Sequence, residues 1–250
     1  MRKINKKNAA IVIIGNEILS GRTQDVNVVS ISKWLNGLGI QLGEVRVIPD
    51  IENTIISTIN EMRRKFKYVF TTGGIGPTHD DITSKSISKA FHVKYDYHPE
   101  AYKLLERYYM EGKFNLGRRK MAKMPKKASL IYNPSSVAPG FFIKNVYCLP
   151  GVPSILKSML GGLNNKIIGG SKILSKTINL RTVESEISIP LEKIQKKFRN
   201  LEIGSYPFFK QGKIGVSLVI RSTKYKLIQK CTNDIIKFLK KKKIKIIINK

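Results

Sequence analysis

Between residues 73 and 81 the chain reads Gly-Gly-Ile-Gly-Pro-Thr-His-Asp-Asp. Glycines that bring bare backbone close to a ligand run straight into a pair of carboxylates. Backbone N–H groups in such a loop, and in the first turn of a helix leaving it, carry partial positive charge and suit phosphate or pyrophosphate. Gly73, Gly74, Gly76, Pro77 and Thr78 are therefore candidate phosphate-binding residues. The spacing is not that of a Walker A loop, because no Gly-Lys-Ser/Thr follows, nor that of a GxGxxG dinucleotide fingerprint. Asp80 and Asp81 sharpen the reading. Two acids beside a phosphate repel it unless a divalent cation intervenes, and Mg²⁺ commonly bridges one or two carboxylates to phosphate oxygens. A plainer reading stands beside this one, since Thr78-x-x-Asp81 is also a capping box in which Asp81 only satisfies a helix start. Asp50, after Pro49, and Glu17, after Gly15, follow two other strand-like runs. Asp50 could face Asp81 or cap the next helix, and Glu17 could hold ligand or simply lie on the surface.

The elements that must position these residues can be read from hydrophobic periodicity. Ala9 to Ile14 is a short buried-strand run, and Val28, Ile31, Leu35 and Leu38 recur at helical spacing up to Gly39. Gln41 to Ile48 alternates like a strand, and Ile51, Ile55, Ile59 and Met62 mark a second amphipathic helix. Lys67 to Thr72 is a third strand entering the glycine loop, and Asp80 to Phe91 reads as the helix leaving it. Alternating strands and helices imply a mostly parallel sheet covered on both faces, with ligands outside the carboxyl ends of the strands. A helix from His98 to Gly112 and a basic stretch from Gly117 to Lys127 follow. Arg118-Arg119-Lys120 could hold phosphate or be a solvated helix face. Short strands are expected at Leu130 to Tyr132, Phe141 to Ile143 and Val146 to Leu149, with Pro150-Gly151-Val152-Pro153 opening a further helix.

Glycine-rich segments at 161–165 and 169–171 mark a domain boundary, giving domains at 8–165 and 172–250. Beyond it the pattern is strand, helix, two strands, helix and a last strand from Ile244 to Ile248, a small α+β domain. Gly212-Lys213-Ile214-Gly215 spells GXXG, but its place before an alternating run reads as a hairpin turn.

Composition narrows the classes. The chain has 250 residues, 42% hydrophobic and 25% charged, and no apolar run long enough to cross a bilayer, so a soluble globular protein is expected. The basic first residues lead into only six apolar ones, too few for a signal peptide, which implies a cytoplasmic protein. Cys148 and Cys231 lack CxxC spacing and read as core residues, and His79, His92 and His98 lack zinc spacing. The formal charge of +29 favours anionic partners. The lysines, however, are spread along the chain with abundant Ile and Asn, which disfavours a dedicated nucleic-acid site and reads as a solvated basic surface.

Several of these motifs, in this order, resemble a known family. Gly15-Asn16-Glu17-Ile18-Leu19 with Gly21, Thr23, Asp25 and Asn27, then residues 72–83, Ala138-Pro139-Gly140-Phe141 and Leu149-Pro150-Gly151-Val152-Pro153 are similar to the molybdopterin-binding (MoaB/Mog-like) domain, in its CinA N-terminal branch. Glu184 to Phe209, with Ile203-Gly204-Ser205-Tyr206-Pro207, resembles the KH-like domain that follows in CinA and in eukaryotic FAD synthases. The resemblance implies a three-layer α/β/α fold followed by a small α+β KH-like domain, and a homo-oligomer. It implies that Asp50 and Asp81 are the acidic pair at a phosphate and metal site, with Gly15, Glu17, Pro139 and Gly140 among the ligand-binding residues. It also implies a Mg²⁺-dependent pyrophosphatase acting on ADP-ribose or FAD-like dinucleotides. Two rival readings stay open: a non-catalytic module binding a phosphorylated pterin or nucleotide, and a nucleic-acid-binding protein using the second domain. Ser136 and Ile155 depart from the family pattern, which has Gly and an acid at those points.

Overall fold

The computed structural model describes residues 8–210 and 213–247. Gly212 of the GXXG match, Ile248 at the end of the last expected strand, and residues 1–7 lie outside the described residues. The chain divides into two compact units, residues 1–170 and 171–250.

In the first unit the strands are β1 (Asn8–Ile14), β2 (Gln41–Ile48), β3 (Tyr68–Thr72), β4 (Tyr95–Tyr97), β5 (Lys123–Pro125), β6 (Ser129–Ile131), β7 (Gly140–Ile143) and β8 (Val146–Leu149). The helices are α1 (Asn16–Leu19), α2 (Asn27–Gly37), α3 (Glu52–Lys65), α4 (Thr83–Ala90), α5 (Pro99–Tyr108), α6 (Leu116–Lys120) and α7 (Pro153–Leu160). A six-stranded sheet runs β2-β1-β3-β8-β7-β6. β2, β1, β3 and β8 run parallel to one another, and β7, antiparallel to β8, and β6, antiparallel to β7, extend the edge.

β1 explains the layering. Ala10, Val12 and Ile14 pack on one side with α3, α4 and α5 residues such as Ile55, Ile87 and Leu105. Ala9, Ile11 and Ile13 pack on the other with α2 and α7 residues such as Ile31, Leu35 and Leu156. A strand buried on both faces needs a continuous apolar run, which Ala9–Ile14 supplies. Each fully buried Ile contributes about 1.5–3 kcal/mol of transfer free energy, so this strand anchors both layers.

The connectivity then creates a crevice. From β1 the chain passes to β2 on one side, returns and lays β3 on the other side. The loops leaving β1 and β3 therefore part in opposite directions, which is the topological switch point where open α/β sheets take ligands.

Two differences from the sequence reading concern this region. The helix expected from Asp80 begins at Thr83, because residues 79–80 form a turn closed by Asp81 N–H donating to the Thr78 carbonyl at 3.3 Å. β4 and β5 form a two-stranded sheet that local periodicity did not announce.

The second unit contains β9 (Leu174–Arg181), α8 (Glu184–Lys197), β10 (Glu202–Lys210), β11 (Lys213–Ser222), α9 (Tyr225–Lys241) and β12 (Lys245–Ile247). Its antiparallel sheet has the order β10-β11-β9-β12. Ile228, Cys231, Ile235 and Leu239 of α9, spaced by three and four, pack with Ile178, Leu180, Val216, Leu218 and Ile220 of the sheet. Among the described residues no helix is long and apolar enough to cross a membrane.

Candidate functional site

A cleft of about 550 Å³ opens at the carboxyl ends of the central strands. Its lining includes Gly73 to Pro77 and Asp81 after β3, Glu17 and Thr23 after β1, Pro139 before β7, and Pro150 to Pro153 after β8. A narrow recess of about 60 Å³ beside it reaches Asp25 and Asn27.

The glycine loop is shaped by backbone contact. Gly73 has φ +98°, and a Cβ there would overlap the carbonyl oxygen of Ile14 at the end of β1. Gly74 has φ +68°, and a Cβ there would overlap the Thr83 hydroxyl. Both positions therefore require glycine. Gly73 N–H donates to the Leu149 carbonyl at 3.2 Å, and Thr83 N–H returns to the Gly74 carbonyl at 2.9 Å. Among the described residues, the N–H groups of Gly74, Ile75 and Gly76 find no acceptor in the chain, and all three residues line the cleft. Successive unpaired amides of this kind make an anion-binding concavity.

The acids are held beside this loop. Asp81 Oδ2 accepts from the Thr78 N–H at 2.8 Å and the Thr78 hydroxyl at 2.5 Å. Asp81 is thus tied to its own turn rather than to the start of α4, which corrects the capping reading. Asp50 does not cap α3 either, whose preceding residue Ile51 has no side-chain cap bond. Its Oδ2 instead accepts the N–H of Asn16 at 2.9 Å, across the sheet from the β1 loop. Burial pushes the Asp50 carboxyl above the usual carboxylate range, the Asn16 N–H opposes the shift, and the charges of Glu17, Asp80 and Asp81 add to it. Four acids therefore share one electrostatic neighbourhood on a chain whose net charge is +29.

An acid whose pKa is raised on folding binds its proton more tightly in the native state. Its cost to stability is absent below the unfolded pKa, near 3.8 for Asp50, and grows as pH rises through the folded one. Asp50→Asn keeps an acceptor for Asn16 N–H. It is expected to raise Tm by about 1–2 °C at neutral pH and to lose that advantage as pH falls below the ordinary carboxylate range. Melting curves at the two pH values check this, and an unchanged or lower Tm at neutral pH contradicts it.

The remaining candidate residues divide. Gly15 sits in extended backbone under the Glu17 carboxylate, with its N–H donated to Ile48 O at 3.2 Å. Thr78 stands exposed at the loop's far end, where Lys120 Nζ donates to its carbonyl. Pro139 lines the cleft, whereas Gly140 is buried in β7, where a Cβ would overlap the Cys148 carbonyl, a strand-packing position. Arg118 and Arg119 donate to the carbonyls of Lys113 and Phe114 and lie over the Tyr109 and Phe114 rings, so they build their own loop. Burial pushes the Cys148 thiol up to about 12, which leaves it unreactive.

Three contributors were not selected as site residues from sequence. Buried Asn27 donates Nδ2 to the Gly151 carbonyl at 2.7 Å, joining the start of α2 to the β8 loop. Asn133 Oδ1 accepts from Ser135 and Ser136 N–H at 2.9 and 3.1 Å, while its Nδ2 donates to Ser136 Oγ and the Ala138 carbonyl at 2.7 and 2.9 Å. This pins the 133–139 loop, in which Val137 holds φ +63°, a strained value for a β-branched residue. Met121 adds an apolar wall. The available signals were a polar residue opening an apolar helix and an Asn-Pro break. Ser136 and Ile155, the two departures from the family pattern, both line the cleft.

Residues 10–168 match the family described as a probable molybdopterin binding domain. The chain belongs to that molybdopterin-binding domain family. Residues 172–246 match the middle domain of FAD synthase, so the second unit's likeness to FAD synthase stands, under that description rather than as a KH domain. A protein of Sulfolobus acidocaldarius is 32% identical over 246 residues, covering 93% of each chain. One of Sulfurisphaera tokodaii is 34% identical over 213 residues, covering 80% of each. The solved structure of the protein CinA, described as of unknown function, from Thermoplasma acidophilum is 31% identical with a TM-score of 0.62. It covers 65% of this chain and 98% of that one.

Proposed function

We propose that the cleft binds the phosphates of a dinucleotide or pterin and that, with Mg²⁺, the protein hydrolyses the pyrophosphate bond of ADP-ribose or FAD-like substrates. The observation that carries the reading is the meeting, in one cleft, of three consecutive loop amides without acceptors and the carboxylates of Asp81 and Glu17. A cleft of this size accommodates a nucleotide. The amides suit the charge that develops on phosphoryl oxygens, and the apolar wall of Met121 and Ile155 suits a flat ring system.

In this reading Asp50 and Asp81 would hold the Mg²⁺, with Asp81 on the cleft lining and Asp50 behind it, tied to the loop after β1. Asp50 and Asp81 each have one oxygen engaged by the chain's own N–H or O–H groups and one left over. Among the described residues no three His, Cys, Asp or Glu side chains converge to hold a metal. Two carboxylates plus ligand oxygens and water is the usual way Mg²⁺ is bound beside a phosphate. When bound, it would polarise a phosphoryl oxygen and lower the pKa of an attacking water. Glu17, at the rim, orients that water or accepts its proton. Thr78 and Asn16 keep the two acids in place.

The test is incubation with ADP-ribose and FAD, with and without Mg²⁺, followed by chromatography. Mg²⁺-dependent release of AMP with ribose 5-phosphate or FMN is expected. Binding of either compound without turnover in any condition would overturn the hydrolase reading in favour of a binding module.

A further inference from the structure

Among the described residues of the second unit, helices cover one side of its sheet only. Its register puts Ile203, Val216, Leu218, Ile220, Ile178 and Leu180 on the side that packs under α8 and α9. The opposite side carries Tyr206 and Phe208 of β10, Ser217 of β11, Asn179 and Arg181 of β9 and Lys245 of β12. Among the described residues none on this side joins the unit's hydrophobic core. Tyr206 is 45% exposed and Arg181 is exposed.

The two aromatic rings are seated rather than loose. A Cβ on Gly204 would fall 2.7 Å from the Tyr206 ring, and a Cβ on Gly215 would overlap the Phe208 ring. Each ring therefore lies along the sheet over a glycine, with its outer side toward solvent. Residues two apart on a strand stand about 6.8 Å apart on the same face, so the rings form a short row. Arg181 and Lys245 are paired across β9 and β12 in the same sheet. Glu202, the acid on this face, lies 4.0 Å from Arg221 and offsets that one cation.

The second unit as a whole is also the more basic of the two. Residues 171–250 hold 20 of the 46 Lys and Arg but 5 of the 17 Asp and Glu, a net charge of +15 in 80 residues, against +14 in the preceding 170. Such a surface repels a second copy of itself and attracts a polyanion. Seated aromatic rings, in turn, are stacking platforms for unpaired bases.

We infer that this open sheet face binds single-stranded nucleic acid, with bases stacked on Tyr206 and Phe208 and backbone phosphates met by Arg181 and Lys245. A duplex keeps its base faces stacked inside and does not offer them to the rings. The site is built from residues of the second unit alone, so its binding does not depend on Asp81.

The test is fluorescence anisotropy on the full chain with labelled short oligouridylate, oligothymidylate and a duplex of equal length, at several salt concentrations. Both single strands are expected to bind more tightly than the duplex. Tyr206→Ala is expected to weaken single-strand binding roughly tenfold, with an unchanged melting curve and salt slope. Tyr206→Trp should retain binding. Arg181→Gln with Lys245→Gln should flatten the slope of log K against log salt by roughly 0.7 per cation. Asp81→Asn should bind as the parent does. Equal affinity for duplex, no single-strand binding, or binding untouched by Tyr206→Ala would overturn the inference. So would loss of a dimer in Tyr206→Ala, which would make the face a contact between copies.

Discussion

Gly73→Ala is expected to cost the first unit roughly 3 kcal/mol of stability. Part of this is intrinsic, because an L-residue in the left-handed region costs about 1–2 kcal/mol, and Gly73 sits at φ +98°. The rest comes from the Ile14 carbonyl, which the new Cβ would overlap. That oxygen belongs to the end of β1, which pairs with β3 and is buried on both faces. It has no rotamer by which to move away. Gly21→Ala separates the two contributions, since Gly21 also has positive φ, +73°, with nothing within 4 Å of its Cβ position. Urea unfolding of both variants should place Gly21→Ala near the intrinsic cost alone. Equal losses for the two would mean that the approach of the loop to β1 does not shape the site.

Asp81→Asn is expected to lower turnover of an ADP-ribose or FAD-like substrate by about 10²–10³-fold, the scale on which loss of a group stabilising transition-state charge is felt. Stability should change little. The amide oxygen still accepts the Thr78 N–H that holds the turn at 2.8 Å, and the substitution relieves repulsion among Glu17, Asp50, Asp80 and Asp81. What disappears is negative charge beside the unpaired amides. The variant should therefore also need more Mg²⁺ to reach half its maximal rate. Steady-state kinetics with a Mg²⁺ titration measures both effects, and a rate within threefold of the parent would remove Asp81 from the proposed chemistry.

The elements around the site were legible because each rests on a local pattern. Gln41–Ile48 has the bounds that its alternation indicates, and Val146–Leu149 is likewise a strand as read. The start of α4 was not, because Thr78-x-x-Asp81 writes the same hydrogen bond into a capping box and into an isolated turn. The order β2-β1-β3 decides which loops flank the crevice, and the alternation of strands and helices leaves that order open. Asp50 shows the limit most plainly. Its position after Pro49 advertised a cap for the next helix, whereas its hydrogen-bond partner is Asn16, 34 residues earlier. Contacts of that range depend on sheet order, as do the pairing of β4 with β5 and the Asn27 bond to Gly151.

The floor of the cleft is main chain lying on main chain: Gly73 rests against the Ile14 carbonyl, and Gly151 stands against Gly73. A surface made this way presents no side chains, so substitution at the surrounding positions leaves its outline as it was. Ligand choice then falls to the walls, at positions such as Ser136, Met121 and Ile155. If the proposed function holds, a common chassis of this kind would let related proteins diverge in what they recognise while keeping one seat for phosphate. An engineer wishing to change the ligand would vary those three residues and leave the glycines alone.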